Sequence, residues 1–368
     1  MKIKVLHVIK ASGRGGAEVL LREGYRLADK NRFELHYLQL SPEPREIFDD
    51  MREMGAYTSV PEHGAQHIGA AVSSIRTYVR THAIDIVHGH LPVSGSLARI
   101  ACLGLPVKVV YTEHNLSNRY KLPTRILNDL SWWAQDAVIA ISDTVEHISA
   151  RKFPKKVVHK VYNGVDEDKF TLPGSQREAF REELGYTASD FIIGTVSSLR
   201  RSDQKRIDIW LRACRKLYDQ NSRFRFILVG DGELRPEYEQ MAASLGLADV
   251  VHFAGKVRAA EQYYQIFDLF MFSSSYEGFG IVMIEAFAAG VPVVAFNAEG
   301  IRTIVKHGYN GWLAAFDGVP EDNLAEIVMS VYNKPNQQIK ENAANDVRTT
   351  YSMAANQKKL EEVYLRLL

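Results

Sequence analysis

Short apolar runs rich in β-branched residues recur along this chain, and a helical stretch follows almost every one. Parallel strands can be joined only by long crossovers, normally helices, so this alternation restricts the chain to parallel α/β sheets wound on both faces. In the first half the strand-like runs are 4–9, 33–40, 86–88, 108–111 and 137–141. In the second half they are 191–197, 224–229, 250–253, 269–272, 292–296 and 311–314. At 368 residues the chain exceeds one ordinary domain, so two such units are expected. Residues 165–174 are charged and punctuated by Pro and Gly, and a polar helix over 176–184 follows. The expected division is therefore 1–170, 171–350, and a closing segment 351–368 that carries an amphipathic helix over 354–368.

Composition removes several classes of function. The hydrophobic share of 46% and charged share of 24% are globular values. A net charge of +1 exerts no general pull on nucleic acid. Cys102 and Cys214 are too few for a disulfide framework or a four-cysteine zinc site, and they suit a reducing cytosol. Met1-Lys-Ile-Lys runs directly into a strand pattern, unlike a signal peptide. No stretch approaches the ~20 apolar residues of a membrane-spanning helix, so any membrane contact is expected to be peripheral.

Glu277 and Glu285 stand in the most informative segment. The apolar run 266–272 leads into Ser273-Ser-Ser, then a glycine turn at Gly278 and Gly280. Helical spacing starts at Ile281 and stops at Gly290, a C-cap glycine with Pro292 just beyond. Glu277 thus falls in the turn before a helix, and Glu285 one to two turns into it. In a doubly wound sheet this is the carboxyl edge of a strand, where ligands bind. Backbone N–H groups at a helix start attract phosphate or sugar hydroxyls, and carboxylates accept hydrogen bonds from diols. A plainer reading is a carboxylate favouring its own helix dipole and one exposed helix Glu.

Other strand ends carry polar groups. Ser12-Gly-Arg-Gly15-Gly16-Ala-Glu18 follows the first strand, but no acid closes the second strand to take a ribose, which disfavours a dinucleotide site. His88 and His90 end one strand, and His114 follows another in Thr112-Glu-His-Asn. Without further ligands nearby, the two-residue spacing of His88 and His90 reads as site lining, not as a metal site. Asp166-Glu-Asp168 has a metal-binding spacing but reads as linker. Arg200, Arg201, Lys205 and Arg206 crowd the turn before a helix, where cations can neutralise a leaving diphosphate. Val229-Gly230-Asp-Gly-Glu and Gly255-Lys-Val257 are strand-to-helix turns.

Over 268–296 the chain closely resembles the signature of the retaining nucleotide-sugar glycosyltransferases of family 4, and other pieces recur in family order along nearly the whole chain. The resemblance implies a GT-B fold: two Rossmann-like domains facing a cleft, an acceptor-binding first and a donor-binding second, with the last helix crossing back to the first. It implies that Glu277 contacts the donor sugar, that the turn Gly278, Phe279, Gly280 and Ile281 approaches sugar and phosphate, and that Glu285 holds the ribose diol. His114 would touch the sugar 6-hydroxyl. Lys205 matches the diphosphate lysine. Ser198 fills the slot of the usual arginine, so Arg200 or Arg201 takes that place. Gly15 and Gly16 match the phosphate and acceptor loop, Gly230 lies near the nucleotide, and the loop of Val257 meets the base.

The implied reaction moves a hexose-type sugar from a nucleotide-sugar donor to a glycan or lipid-linked acceptor with retention, in polysaccharide or glycolipid biosynthesis and without a metal cofactor. UDP is the expected nucleotide, with GDP and ADP open. A sugar-nucleotide 2-epimerase and a non-catalytic sugar-nucleotide-binding subunit share the fold and stand as alternatives. The stretch Arg119-Tyr-Lys121-Leu-Pro-Thr-Arg125, with Trp132, Trp133 and the cluster Arg151, Lys152, Lys155, Lys156 and Lys160, is expected to favour an anionic membrane at the cytoplasmic face. A solvated basic face with its tryptophans in the core is the alternative.

Overall fold

The computed structural model describes residues 2–13, 15–61, 67–154, 157–171, 173–202, 204–334 and 336–368. Arg14, Lys155 and Lys156, drawn into the motifs above, lie outside the described residues. The chain forms two units, Met1–Gly164 with Met353–Leu368, and Val165–Ser352.

The first unit is a sheet of β1 (Ile3–Ile9), β2 (Phe33–Gln39), β3 (Tyr57–Ser59), β4 (Ile86–His90), β5 (Lys108–Glu113), β6 (Ala137–Ala140) and β7 (Val158–Lys160). The strands are ordered β3-β2-β1-β4-β5-β6-β7, and every pairing is parallel. Side chains alternate between faces, so Val5 and Ile9 join one core while Leu6 and Val8 join the other. The edge strands β3 and β7, three residues each, are not among the strand-like runs read from the sequence.

Helix Met353–Leu367 closes this unit. Val363 and Tyr364 enter the core beside Phe33 and Tyr37, and Glu361 accepts a 3.0 Å hydrogen bond from the Asp29 amide.

The second unit is a sheet of β8 (Phe191–Val196), β9 (Phe224–Val229), β10 (Val251–Gly255), β11 (Leu269–Phe272), β12 (Val293–Phe296) and β13 (Trp312–Ala314). Its order is β10-β9-β8-β11-β12-β13, again all parallel. It begins at Val165, upstream of the 170/171 division expected from composition. Hydrogen bonds explain the earlier start. The Val165 amide donates to the Tyr351 carbonyl (2.9 Å), and Gln265 Nε2 donates to the Lys169 carbonyl (3.3 Å).

Strand order reverses between β1 and β4 in one unit and between β8 and β11 in the other. Loops leaving the two central strands diverge there, which opens a crevice at their carboxyl ends.

Candidate active site

In the second unit, Lys205 follows β8 and Glu277 follows β11, one on each side of that reversal. Glu277 is buried, and its carboxylate accepts from Lys205 Nζ at 2.7 Å and Gln204 Nε2 at 3.0 Å. The two loops are stitched together. Ser273 Oγ donates to the Lys205 carbonyl (2.8 Å), the Ser275 amide donates to the Gln204 carbonyl (2.8 Å), and Gln204 Nε2 also reaches the Tyr276 carbonyl (3.1 Å). A third loop clamps Glu277 from its backbone side: the Glu277 amide donates to the Glu299 carbonyl (2.9 Å). Gly300, at φ +81°, approaches so closely that a Cβ there would stand 1.8 Å from the Glu277 carbonyl oxygen. Gln204 and Gly300 were not singled out as site residues from sequence. Neither has a local signal, because each acts on a loop far along the chain.

Gly280 (φ +87°) turns the chain into helix Ile281–Ala288. Gly278 and Phe279 are buried in that turn, and the Phe279 ring packs edge-on against Tyr351 at 5.9 Å. Glu285 lies on the second turn of the helix and accepts a 2.7 Å hydrogen bond from the Tyr264 hydroxyl. Burial pushes its carboxyl up to about 7, while the Tyr264 hydrogen bond pulls the other way. Removing a carboxylate from water disfavours its charged form, which is why burial raises this group. Tyr264, on helix Ala260–Ile266, was not foreseen, since nothing among its sequence neighbours points to Glu285.

The remaining cations divide. Arg201 is committed on the surface: its amide donates to Glu233 Oε1 (2.7 Å) and its guanidinium pairs with Glu237 (3.0 Å). Arg200 is exposed and makes no ion pair among the described residues. The loops after β8 and β9 meet backbone to backbone, with the Leu199 amide donating to the Asp231 carbonyl (3.0 Å). Gly230, at φ +132°, would place a Cβ 1.8 Å from the Ser197 carbonyl oxygen. Val257 is partly buried just after β10.

In the first unit Gly15 and Gly16 are exposed at the start of helix Gly16–Leu27. Four histidines gather at the carboxyl ends of the central strands. His7 Nδ1 and His90 Nε2 share a 2.9 Å hydrogen bond, and His90 Nδ1 and His114 Nε2 share one of 3.2 Å. His88 is held by Tyr364 (2.6 Å) and Thr112 (2.6 Å). Desolvation lowers all four, His7 to about 3 and His114 to about 4, so they are neutral at physiological pH. His7 was not foreseen as part of this group.

Residues 176–346 match the family described as "Glycosyl transferases group 1", and residues 14–169 match "Glycosyltransferase Family 4". The chain belongs to the family 4-type GT-B glycosyltransferases. EpsF of Bacillus subtilis (strain 168), a protein assigned as a glycosyltransferase, is 27% identical over 303 residues, covering 79% of this chain and 78% of its own. The D-inositol 3-phosphate glycosyltransferase of Corynebacterium urealyticum is 28% identical over 331 residues, 82% of this chain and 76% of its own. The fold is shared with Anabaena HepE, crystallised with UDP and glucose, at a TM-score of 0.86 and 22% identity over 98% of this chain and 99% of that one.

Cavity size does not mark the site of this glycosyltransferase. A cavity of 520 Å³ opens beside Phe191, Asp268 and Pro292, at the amino ends of β8, β11 and β12, opposite the edge that bears Glu277. The imidazoles of His7, His88 and His90 bring ligand atoms within 4.8 Å of one another, which supplies the third ligand missing from the sequence reading. Both His88 nitrogens are already hydrogen-bonded, so coordination there would cost one of those bonds.

Proposed function

We propose that this enzyme transfers a hexose-type sugar from a UDP-sugar to a glycan or lipid-linked acceptor, with retention at the anomeric carbon. The observation that carries the proposal is the buried Glu277 carboxylate, fixed by Lys205 and Gln204 at a strand-order reversal, with Glu285 on the helix that follows. The solved HepE structures with UDP-glucose and with UDP and glucose support UDP as the nucleotide.

Departure of the diphosphate leaves positive charge on the sugar ring and negative charge on the phosphates. Lys205 and the amides before helix Ile281–Ala288 oppose the negative charge. Donor binding would draw Lys205 Nζ from Glu277 to the diphosphate and free the Glu277 carboxylate to accept from sugar hydroxyls. His114, neutral, can donate to or accept from a hydroxyl without adding charge. Retention follows if the acceptor attacks from the face the diphosphate leaves, with a phosphate oxygen taking its proton. No step in this scheme calls for a metal ion. Polysaccharide or glycolipid assembly at the inner face of the cell membrane is the setting we propose.

The test is UDP release from UDP-glucose and other UDP-sugars by wild type and Glu277→Gln, with GDP- and ADP-glucose in parallel. Release from one UDP-sugar, reduced at least about 100-fold in the variant, supports the reading. Equal release by both proteins, or none from any donor in the presence of glycan and lipid-linked acceptors, overturns it.

A further inference from the structure

His7, His88 and His90 share one face of the first sheet, and strand pairing explains why. His7 on β1 is the register partner of His88 on β4, and His90 stands two residues further along β4. Side chains two apart on a strand, or paired across parallel neighbours, leave the sheet on the same side. All three are buried. Their ring centres lie 4.1–5.2 Å apart. The His7 ring stacks on Tyr37 at 5.0 Å, His88 is held by Tyr364 and Thr112, and His90 by His114. Rings fixed by such neighbours are organised in advance of any ligand.

The spacing of their nitrogens is close to that of a ligand set. His7 Nδ1 and His90 Nε2 are 2.9 Å apart, and the three rings offer nitrogens all within 4.8 Å of one another. Two imidazole nitrogens on one tetrahedral zinc ion, each at about 2.0–2.1 Å, stand about 3.3 Å apart. Small ring rotations therefore separate the hydrogen-bonded cluster from a coordinating one. His90 would carry its proton on Nδ1 and donate it to His114 Nε2, 3.2 Å away, which leaves the His90 Nε2 lone pair for the ion. His88 would keep one of its hydrogen bonds, to Tyr364 or to Thr112, and give up the other. A cavity of 50 Å³ adjoins the rings, lined also by Asn163, Asn356 and Gln357, with room for water as a fourth ligand. Among the described residues no Asp or Glu lines it, which disfavours magnesium and calcium and suits an ion that accepts imidazole.

We propose that His7, His88 and His90 form a zinc site in the first unit, its fourth position filled from the adjoining cavity and His114 acting as the positioning residue of His90. Three neutral imidazoles leave the charge of the ion uncompensated. The fourth ligand is therefore expected to be hydroxide, from a water whose proton passes to solvent, since zinc lowers the pKa of bound water to about 7. The ion would tie β1 to β4 and, where His88 keeps Tyr364, to the closing helix Met353–Leu367. It takes no part in the donor chemistry, and the inference does not rest on the transfer reaction.

The experiment is titration of the full chain with zinc chloride, in a calorimeter and in thermal melts, after dialysis against EDTA and then metal-free buffer. His7→Gln, His90→Gln, His114→Gln and a control at the exposed His147, His147→Gln, are run beside wild type. Wild type should bind one zinc ion per chain and melt higher with it. His7→Gln and His90→Gln should bind at least about 100-fold more weakly, and His114→Gln about tenfold, the usual cost of losing a residue that orients a ligand. His147→Gln should match wild type. Cobalt(II) added to wild type should give the intense visible bands of a four-coordinate ion, a readout that needs no variant and stands if one misfolds. No zinc uptake by wild type, uptake unchanged in both His7→Gln and His90→Gln, or only the weak bands of six-coordinate cobalt overturns the proposal.

Discussion

Replacing Glu285 by Gln should make the ligand-free protein more stable while removing its response to donor. The folded carboxyl holds its proton up to about 7, whereas an unfolded chain releases it near 4.5. Between those values the folded state binds more protons, so stability falls as pH rises through the window and stays low above it. The rise from 4.5 to about 7 sets a ceiling of about 3–4 kcal/mol at about 1.4 kcal/mol per unit. Glu285 is only partly sequestered from water, so about 1–2 kcal/mol is expected. Glutamine keeps an oxygen for the Tyr264 hydroxyl and discards the buried charge. Melting curves of both proteins at pH 8 and pH 4.5, with and without UDP-glucose, read the effect. Glu285→Gln should melt several degrees higher at pH 8, at about 2–4 °C per kcal/mol, and no higher at pH 4.5. Ligand-induced stabilisation should be lost. A variant that melts lower than wild type at pH 8, or shows the same difference at both pH values, refutes the argument.

Lys205→Ala should lower kcat/KM by about 10²–10³, since one charged group is withdrawn from the leaving diphosphate; steady-state rates with the identified donor check this. Arg201→Ala should change kcat/KM by less than about fivefold, because its guanidinium is committed to an exposed pair with Glu237 that contributes at most about 1 kcal/mol. Gly300→Ala should destabilise by more than about 2 kcal/mol in denaturant unfolding, combining left-handed strain with a backbone clash at Glu277. His7 is held neutral by burial, its value lowered from 6.5 to about 3. It therefore contributes stability above pH 6.5 that is lost as pH falls, and His7→Gln should show a shallower drop in urea midpoint from pH 7 to pH 5 than wild type.

Much of this protein is legible in one dimension. The turn at Gly278 and Gly280, helix Ile281–Ala288 and its stop before Gly290 all follow from apolar spacing and glycine placement. The strand ends that bear His88, His90, His114, Lys205 and Glu277 could likewise be located by period alone. A charge-rich, Pro/Gly-punctuated stretch gave the division between units approximately, but hydrogen bonding moved it to Val165.

The chain's own pattern of strand and helix periods determined two parallel, doubly wound sheets and placed the polar side chains at their carboxyl ends, because those features depend on neighbours within a few residues. Only the tertiary structure decided which of those side chains meet. Gln204 reaches Glu277, Tyr264 reaches Glu285, His7 joins His90, and Tyr364 returns from the far end of the chain to His88. It also decided that helix Leu122–Ser131 turns its polar face inward, since the need to satisfy a buried Arg99 outweighs the helix's own amphipathic preference. Such pairings span distances along the chain that no local period encodes, and packing and burial fix them together.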